Sequence, residues 1–145
     1  MYFVDRTKIE AQLHYLDKQI ALLENQSIWN TVVEKAALER ITHMMLEAIL
    51  DVGNSMIDGF IMRDPGSYED IVDILEDEKV YSKTTATELK QLLAYRRQLV
   101  HDYLNIDHQK LYDTFSGKVQ TLKEFIEAIH HYLVNELGPV TAFKN

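Results

Sequence analysis

The chain has 145 residues, 46% of them hydrophobic, and a formal net charge of −8 at pH 7. This length and composition are typical of one folded domain, which we expect to span residues 1–145, and they exclude a largely disordered chain. The negative charge argues against non-specific nucleic-acid binding through a broad basic face, and the absence of cysteine excludes disulfides, thiolate catalysis and cysteine-ligated zinc.

Periodic apolar residues predict two helices in the first half of the chain. Apolar residues at steps of four and three predict a first helix over Arg6–Glu24. A second and longer helix is expected to begin at Thr31, which has capping-box spacing with Glu34, and to run to about Met62. The sequence DPG at residues 64–66 disfavours a helix and predicts a turn at that point.

Three further helices are predicted in the second half. A short helix is expected over residues 68–78. A fourth begins near Thr85 and carries apolar residues as far as Val100, and a last one begins at Asp107 and is stopped by the sequence GP at 138–139. Because glycine and proline are rare and the connections are short, we predict an all-α, up-down antiparallel bundle of four main helices plus one short helix.

The sequence also predicts where the protein resides. Its first residues, MYFVDRTKIEAQL, lack the basic and apolar regions of a secretory signal. The chain contains no apolar run of about 18 residues, the length that a membrane-spanning helix requires. We therefore expect a cytoplasmic location and no membrane association.

The stretch AYRRQLVHDYLNID, residues 94–107, places cationic, imidazole and phenol side chains near the end of the fourth predicted helix. On an ideal helix Arg96 and Tyr103 share a face, whereas Arg96 and His101 point about 140° apart. If both act on one phosphate, either the helix unwinds before His101 or two protomers of a symmetric dimer each contribute. The alternative is a polar helix end, where arginine and histidine complement the helix dipole.

No metal or cofactor site is predicted. The histidines do not show the His-Glu-x-x-His spacing of zinc proteases, and Gly53 and Gly59 lack the Gly-Lys-Ser/Thr ending of a phosphate-binding loop. A serine-containing nucleophile elbow is also absent. We therefore expect a protein that uses neither a metal ion nor an organic cofactor.

The spacing Arg96-x-x-x-x-His101-x-Tyr103 resembles the motif of the HepT-like toxins of the HEPN superfamily. The surrounding sequence LLAYRRQLVHDYLNID is similar to that family, as is ALERITHMMLEAILDVGNSMI in the second predicted helix. The chain departs from the family pattern at Arg97, where many members carry asparagine. The resemblance implies a HEPN-like helical fold and a homodimer with two copies of the motif at its interface.

The resemblance further implies a metal-independent ribonuclease with Arg96 and His101 as its catalytic residues. His101 from the two protomers would serve as base and acid, and Arg96 would stabilise charge on the phosphate of the RNA substrate. Arg97 would bind an adjacent phosphate. The resemblance also implies a toxin neutralised by a nucleotidyltransferase antitoxin that transfers adenylate to Tyr103. The alternative hypothesis is a non-catalytic helical dimer that binds a nucleotidyltransferase partner or a nucleotide.

Overall fold

The computed structural model describes residues 2–139, and within this range all regular secondary structure is helical. This confirms the predicted all-α fold. The helices are, in chain order, α1 (Arg6–Glu24), α2 (Val32–Gly59), α3 (Tyr68–Asp77), α4 (Lys83–Leu93), α5 (Tyr95–Val100), α6 (His108–Ser116) and α7 (Val119–Leu137), with a 3-10 turn (Tyr103–Asn105) between α5 and α6. None of the helices within the described range is long and apolar enough to cross a bilayer.

Short polar side chains fix where most of these helices begin. The complete capping box of α2 confirms the spacing seen in the sequence, because the Thr31 hydroxyl accepts from the Glu34 N–H while the Glu34 carboxylate accepts from the Thr31 N–H. Each cap satisfies a backbone N–H that has no partner inside its own helix. The capping side chains of α1, α2, α3, α4 and α6 are Asp5, Thr31, Ser67, Ser82 and Asp107.

The apolar core lies between α1, α2, α3, α4, α6 and α7. The helix α1 contacts α2 and α7, and α4 contacts α3 and α7, so the first and last helices pack side by side. Gly53 lies within α2 where α3 crosses it, and a Cβ there would collide with the Ile71 side chain. The glycine therefore permits close packing of α3 rather than a bend in α2. The buried residues of α1 are those that its periodicity predicted: Ile9, Leu13, Leu16, Ile20 and Leu23.

Two of the predicted helices are each interrupted, so the described range contains more helical segments than periodicity predicted. The fourth predicted helix breaks at Ala94 into α4 and α5, and the last breaks at residues 117–118 into α6 and α7. At the second break a Cβ on Gly117 would lie 3.0 Å from the Asp113 carbonyl oxygen, so glycine fits the tight helix end. The predicted start at Asp107 and the stop after Leu137 are confirmed.

Candidate functional site

The four residues predicted to form the site lie in a segment of α5 and the 3-10 turn, residues 95–105, which we call the motif segment. The helix α5 ends at Val100, immediately before His101. The N–H groups of His101 and Asp102 both donate to the Arg97 carbonyl oxygen, at 2.8 and 3.1 Å, which closes the helix end. His101 is therefore the C-cap of α5 and keeps αR backbone angles, so the chain leaves the helical path after His101 and not before it.

Arg96 is held in place by contacts from two other helices. Its Nη2 and Nε donate to Glu47 Oε1 of α2, at 3.1 and 3.3 Å. Its guanidinium carbon lies 4.4 Å from the centroid of the Tyr68 ring, at the start of α3, in a cation–π arrangement. The Arg96 side chain is 21% exposed. A half-buried guanidinium with a carboxylate on one partner and an aromatic face on another has a defined orientation.

Glu47 also connects Arg96 to a histidine. The His43 Nε2 lies 2.9 Å from the same Glu47 Oε1 that accepts from Arg96. His43 and Glu47 are one turn apart on α2, so they share a helix face. One turn further along α2, Asp51 has a raised pKa, because partial burial and the nearby Glu47 charge both disfavour its ionised form. Glu47 therefore contacts both Arg96 and His43 and also disfavours the ionised form of Asp51.

The other three predicted residues project from the surface. The side chain of His101 is exposed and makes no hydrogen bond to any residue between 2 and 139. Tyr103 is 60% exposed, which leaves its phenol open to a second protein. The Arg97 Nε lies 3.3 Å from Asp102 Oδ2, and both side chains are largely exposed. A solvated pair of this kind contributes at most about 1 kcal/mol, so a phosphate can displace Asp102 from Arg97.

The structure thus divides the predicted site into one oriented cation and three exposed groups. Glu47, His43 and Tyr68 were not among the site residues predicted from the sequence. The four-residue spacing of His43 and Glu47 was a readable signal. The contact between Glu47 and Arg96 spans 49 residues of chain and depends on how α2 and α5 pack. In the part of the chain that the structure describes, no group of three histidine, aspartate or glutamate side chains is arranged to bind a metal ion.

Comparisons with known proteins agree over nearly the full length. Residues 10–129 match the family model described as Ribonuclease HepT-like. The chain is 52% identical over 144 residues to YutE of Bacillus subtilis (strain 168), a candidate RNase, and this covers 99% of the chain and 100% of that protein. The solved structure of YutE, described as a cytosolic protein of unknown function, has a TM-score of 0.94 over the same shares of the two chains.

More distant solved structures share the fold. A tri-AMPylated HEPN toxin from Shewanella oneidensis in complex with an MNT antitoxin matches with a TM-score of 0.73 at 16% identity, over 86% of this chain and 96% of that one. A toxin–antitoxin complex with AMP-PNP matches with a TM-score of 0.70 at 16% identity, over 85% and 95%. At this level of identity the likeness concerns the helical architecture.

Proposed function

Because the chain belongs to the HepT-like ribonuclease family, we propose that it is a metal-independent endoribonuclease in which Arg96 and His101 are the catalytic residues. The observation that carries this proposal is that the motif segment combines an oriented arginine with an exposed histidine: Arg96 is held by Glu47 and Tyr68, and His101 caps the end of α5. Phosphodiester cleavage without a metal requires a fixed cation and free acid–base groups.

The chemistry assigns one proton transfer to each of two imidazoles. A neutral His101 removes the proton of a ribose 2′-hydroxyl, and the 2′-oxygen attacks the adjacent phosphorus. A protonated His101 gives its proton to the departing 5′-oxygen, which leaves a 2′,3′-cyclic phosphate on the other fragment. A homodimer supplies the two imidazoles, so we include the dimer in the proposal. Arg96 stabilises the charge that develops on the phosphate, and Arg97 binds a neighbouring phosphate.

We also propose that the protein is the toxin of a toxin–antitoxin pair and that Tyr103 is its point of neutralisation. A nucleotidyltransferase antitoxin would transfer adenylate from ATP to the Tyr103 oxygen and release pyrophosphate. The exposure of Tyr103 supports this step, because the phenol is open to a second protein. The added phosphate would bring negative charge to the motif segment, where it would repel RNA and compete with it for the arginines.

The cleavage proposal is tested with purified protein and a single-stranded RNA in the presence of a chelator. We expect cleavage by the wild-type protein and a loss of about 10²–10⁴-fold in His101→Ala, the range for removal of a general acid or base. His14→Ala is the matched control, because His14 is an exposed histidine on α1. Equal cleavage by wild type and His101→Ala would overturn the proposal. Absence of cleavage from both would favour the non-catalytic dimer.

The modification proposal is tested separately by mass spectrometry. The protein is incubated with a partner nucleotidyltransferase and ATP, and the site of added adenylate is mapped. We expect modification of the peptide that contains Tyr103 and none in Tyr103→Phe, while Tyr15→Phe, which alters a partly exposed tyrosine of α1, behaves as wild type. Adenylate on another residue, with Tyr103 unmodified, would refute the assignment.

A further inference from the structure

A half-open cavity of about 330 Å³ lies next to the motif segment, where the α1–α2 connection meets the start of α6. Its walls include Trp29, Lys35 and Tyr112, and we call it the Trp29 pocket. Ile106, which also lines it, follows Tyr103 by three residues, so the two Cα atoms lie within about 11 Å. The Gln98 side chain of α5 donates to the Asn105 carbonyl at 3.4 Å, which joins the motif helix to the pocket wall.

One partly exposed aromatic side chain gives the pocket a surface that suits a nucleobase, and a buried tryptophan forms the wall behind it. Trp29 is only 7% exposed, and its Nε1–H donates to the Gln26 carbonyl at 3.0 Å, so the indole is fixed. Tyr112 contributes a half-buried ring from α6. Aromatic faces bind bases by stacking without regard to sequence. A cavity of this volume lies at the small end of the range for ligand sites, which fits one nucleotide.

The polar lining suits the rest of a nucleotide. Lys35 is exposed and forms no ion pair with any residue in the described range 2–139, so its ammonium is available to a phosphate. The side chains of Asn30 and Gln109 offer amide donors and acceptors for base edges. The His108 Nε2 lies 2.7 Å from Glu39 Oε2, which fixes that wall of the pocket. The lining combines the free ammonium of Lys35 with one carboxylate, Asp107, whose side chain accepts from the Lys110 N–H at the start of α6.

We propose that the Trp29 pocket binds one nucleotide of an RNA strand, with the base against Tyr112 and its phosphate at Lys35. This nucleotide would flank the scissile position and set the register of the strand against the motif segment. The proposal rests on the proposed function only in naming RNA as the source of the nucleotide. Binding is measurable without cleavage, so the two proposals can fail independently.

Trp29 is the only tryptophan of the chain, so its fluorescence reports directly on this pocket. The wild-type protein is titrated with a 2′-O-methyl oligonucleotide, which has no 2′-hydroxyl proton to lose and is not cleaved. We expect saturable quenching, with affinity reduced about tenfold in Tyr112→Leu by the loss of stacking. Lys35→Ala should weaken binding and its salt dependence, because a phosphate contact is removed. N-acetyltryptophanamide corrects for absorption by the ligand.

Lys83→Ala is the matched control, since Lys83 is an exposed lysine in the first turn of another helix, α4. Parallel titrations with free AMP and UMP distinguish a strand from a free nucleotide as the preferred ligand. Tighter binding of the oligonucleotide supports the proposal, and tighter binding of a free nucleotide overturns its assignment to RNA. No saturable quenching, or equal affinity in wild type, Lys35→Ala and Tyr112→Leu, would overturn the pocket itself. Binding by a protein that fails to cleave RNA would refute the ribonuclease and leave the pocket intact.

Discussion

The last helix, α7, and the motif segment are held in place by different kinds of interaction. In α7 the residues Leu122, Phe125, Ile129 and Leu133 are fully buried, whereas α5 and the 3-10 turn contain no fully buried residue. Burial of apolar surface stabilises α7, while the orientation of Arg96 depends on one carboxylate and one aromatic ring. Substitutions in α7 should therefore change stability, and substitutions around the motif segment should change activity.

The motif segment is short and needs support from its neighbours. The six-residue helix α5 has no side-chain cap at its start, and a helix of this length is not stable alone. Tyr95 anchors it, because its hydroxyl lies 2.9 Å from the Thr114 hydroxyl and its ring packs edge-on to Phe115. This anchor joins α5 to α6 and leaves the residues after Val100 at the surface. The segment is thus fixed at one end and exposed at the other.

The largest expected effect is on the free energy of unfolding, through the buried residues of α7. Phe125→Ala removes a fully buried ring from α7 and should lower the free energy of unfolding by about 3–5 kcal/mol. Val134→Ala, at an exposed position of the same helix, should change it by less than about 0.5 kcal/mol. Urea denaturation followed by circular dichroism measures both. Similar losses in the two variants would contradict the claim that burial in α7 stabilises the fold.

The next effect concerns the support of Arg96. Glu47→Gln keeps the shape of the side chain but removes its charge, and a hydrogen bond to a charged group contributes about 1.5–3 kcal/mol. We expect RNA cleavage to fall by roughly 10–100-fold, mainly in kcat, with little change in the melting temperature. Glu10→Gln is the control, because Glu10 also pairs with a histidine, His130, but on α1 and α7. A loss confined to the melting temperature would show that Glu47 acts on the fold alone.

The sequence predicted α1 well and the helix breaks poorly, for different physical reasons. In α1 every buried position falls on one stripe, so periodicity alone defines the helix. The stripe of Leu111, Phe115, Val119 and Leu122 passes through Gly117 without losing its period, so the division into α6 and α7 left no trace in the pattern. Gly117 was the only local signal, since glycine favours a helix end.

In the candidate site, too, the local sequence predicted some features, whereas others depend on how the helices pack. The angular separation of Arg96 and His101 predicted that a site using both needs either a helix that unwinds before His101 or a second protomer, and the N–H of His101 still donates to the Arg97 carbonyl oxygen as in a helix. The contact between Arg96 and Glu47 was not predictable, because it depends on the packing of α2 against α5. Sequence spacing therefore located the exposed groups of the motif, while packing determined what orients the arginine.

A smaller effect is expected from the aromatic support of Arg96. Tyr68→Leu removes the ring beneath the guanidinium, and a cation–π contact at an exposed site contributes about 0.5–1 kcal/mol. Cleavage should fall by about 2–5-fold in Tyr68→Leu and remain unchanged in Tyr68→Phe, which keeps the ring. Steady-state assays of the two variants measure this. Equal losses in both would assign the effect to the tyrosine hydroxyl instead.

The smallest effect tests whether α2, which orients Arg96 through Glu47, also affects the stability of the fold. Burial and the charge of Glu47 raise the pKa of Asp51 above its ordinary value of 3.8, so folding disfavours the ionised carboxylate. The resulting destabilisation is absent below the ordinary pKa and is complete once the pH exceeds the raised value. Asp51→Asn should therefore raise the melting temperature slightly at pH 7 and leave it unchanged near pH 3.

Thermal melts of wild type and Asp51→Asn across this pH range measure the difference. Asp17→Asn serves as the control, because Asp17 is an exposed aspartate of α1, and its replacement should give no such pH-dependent gain. A gain for Asp51→Asn that is equal at pH 3 and pH 7 would exclude ionisation as its cause. A gain confined to neutral pH would show that the ionised carboxylate of Asp51, which feels the charge of the Glu47 that orients Arg96, lowers the stability of the fold.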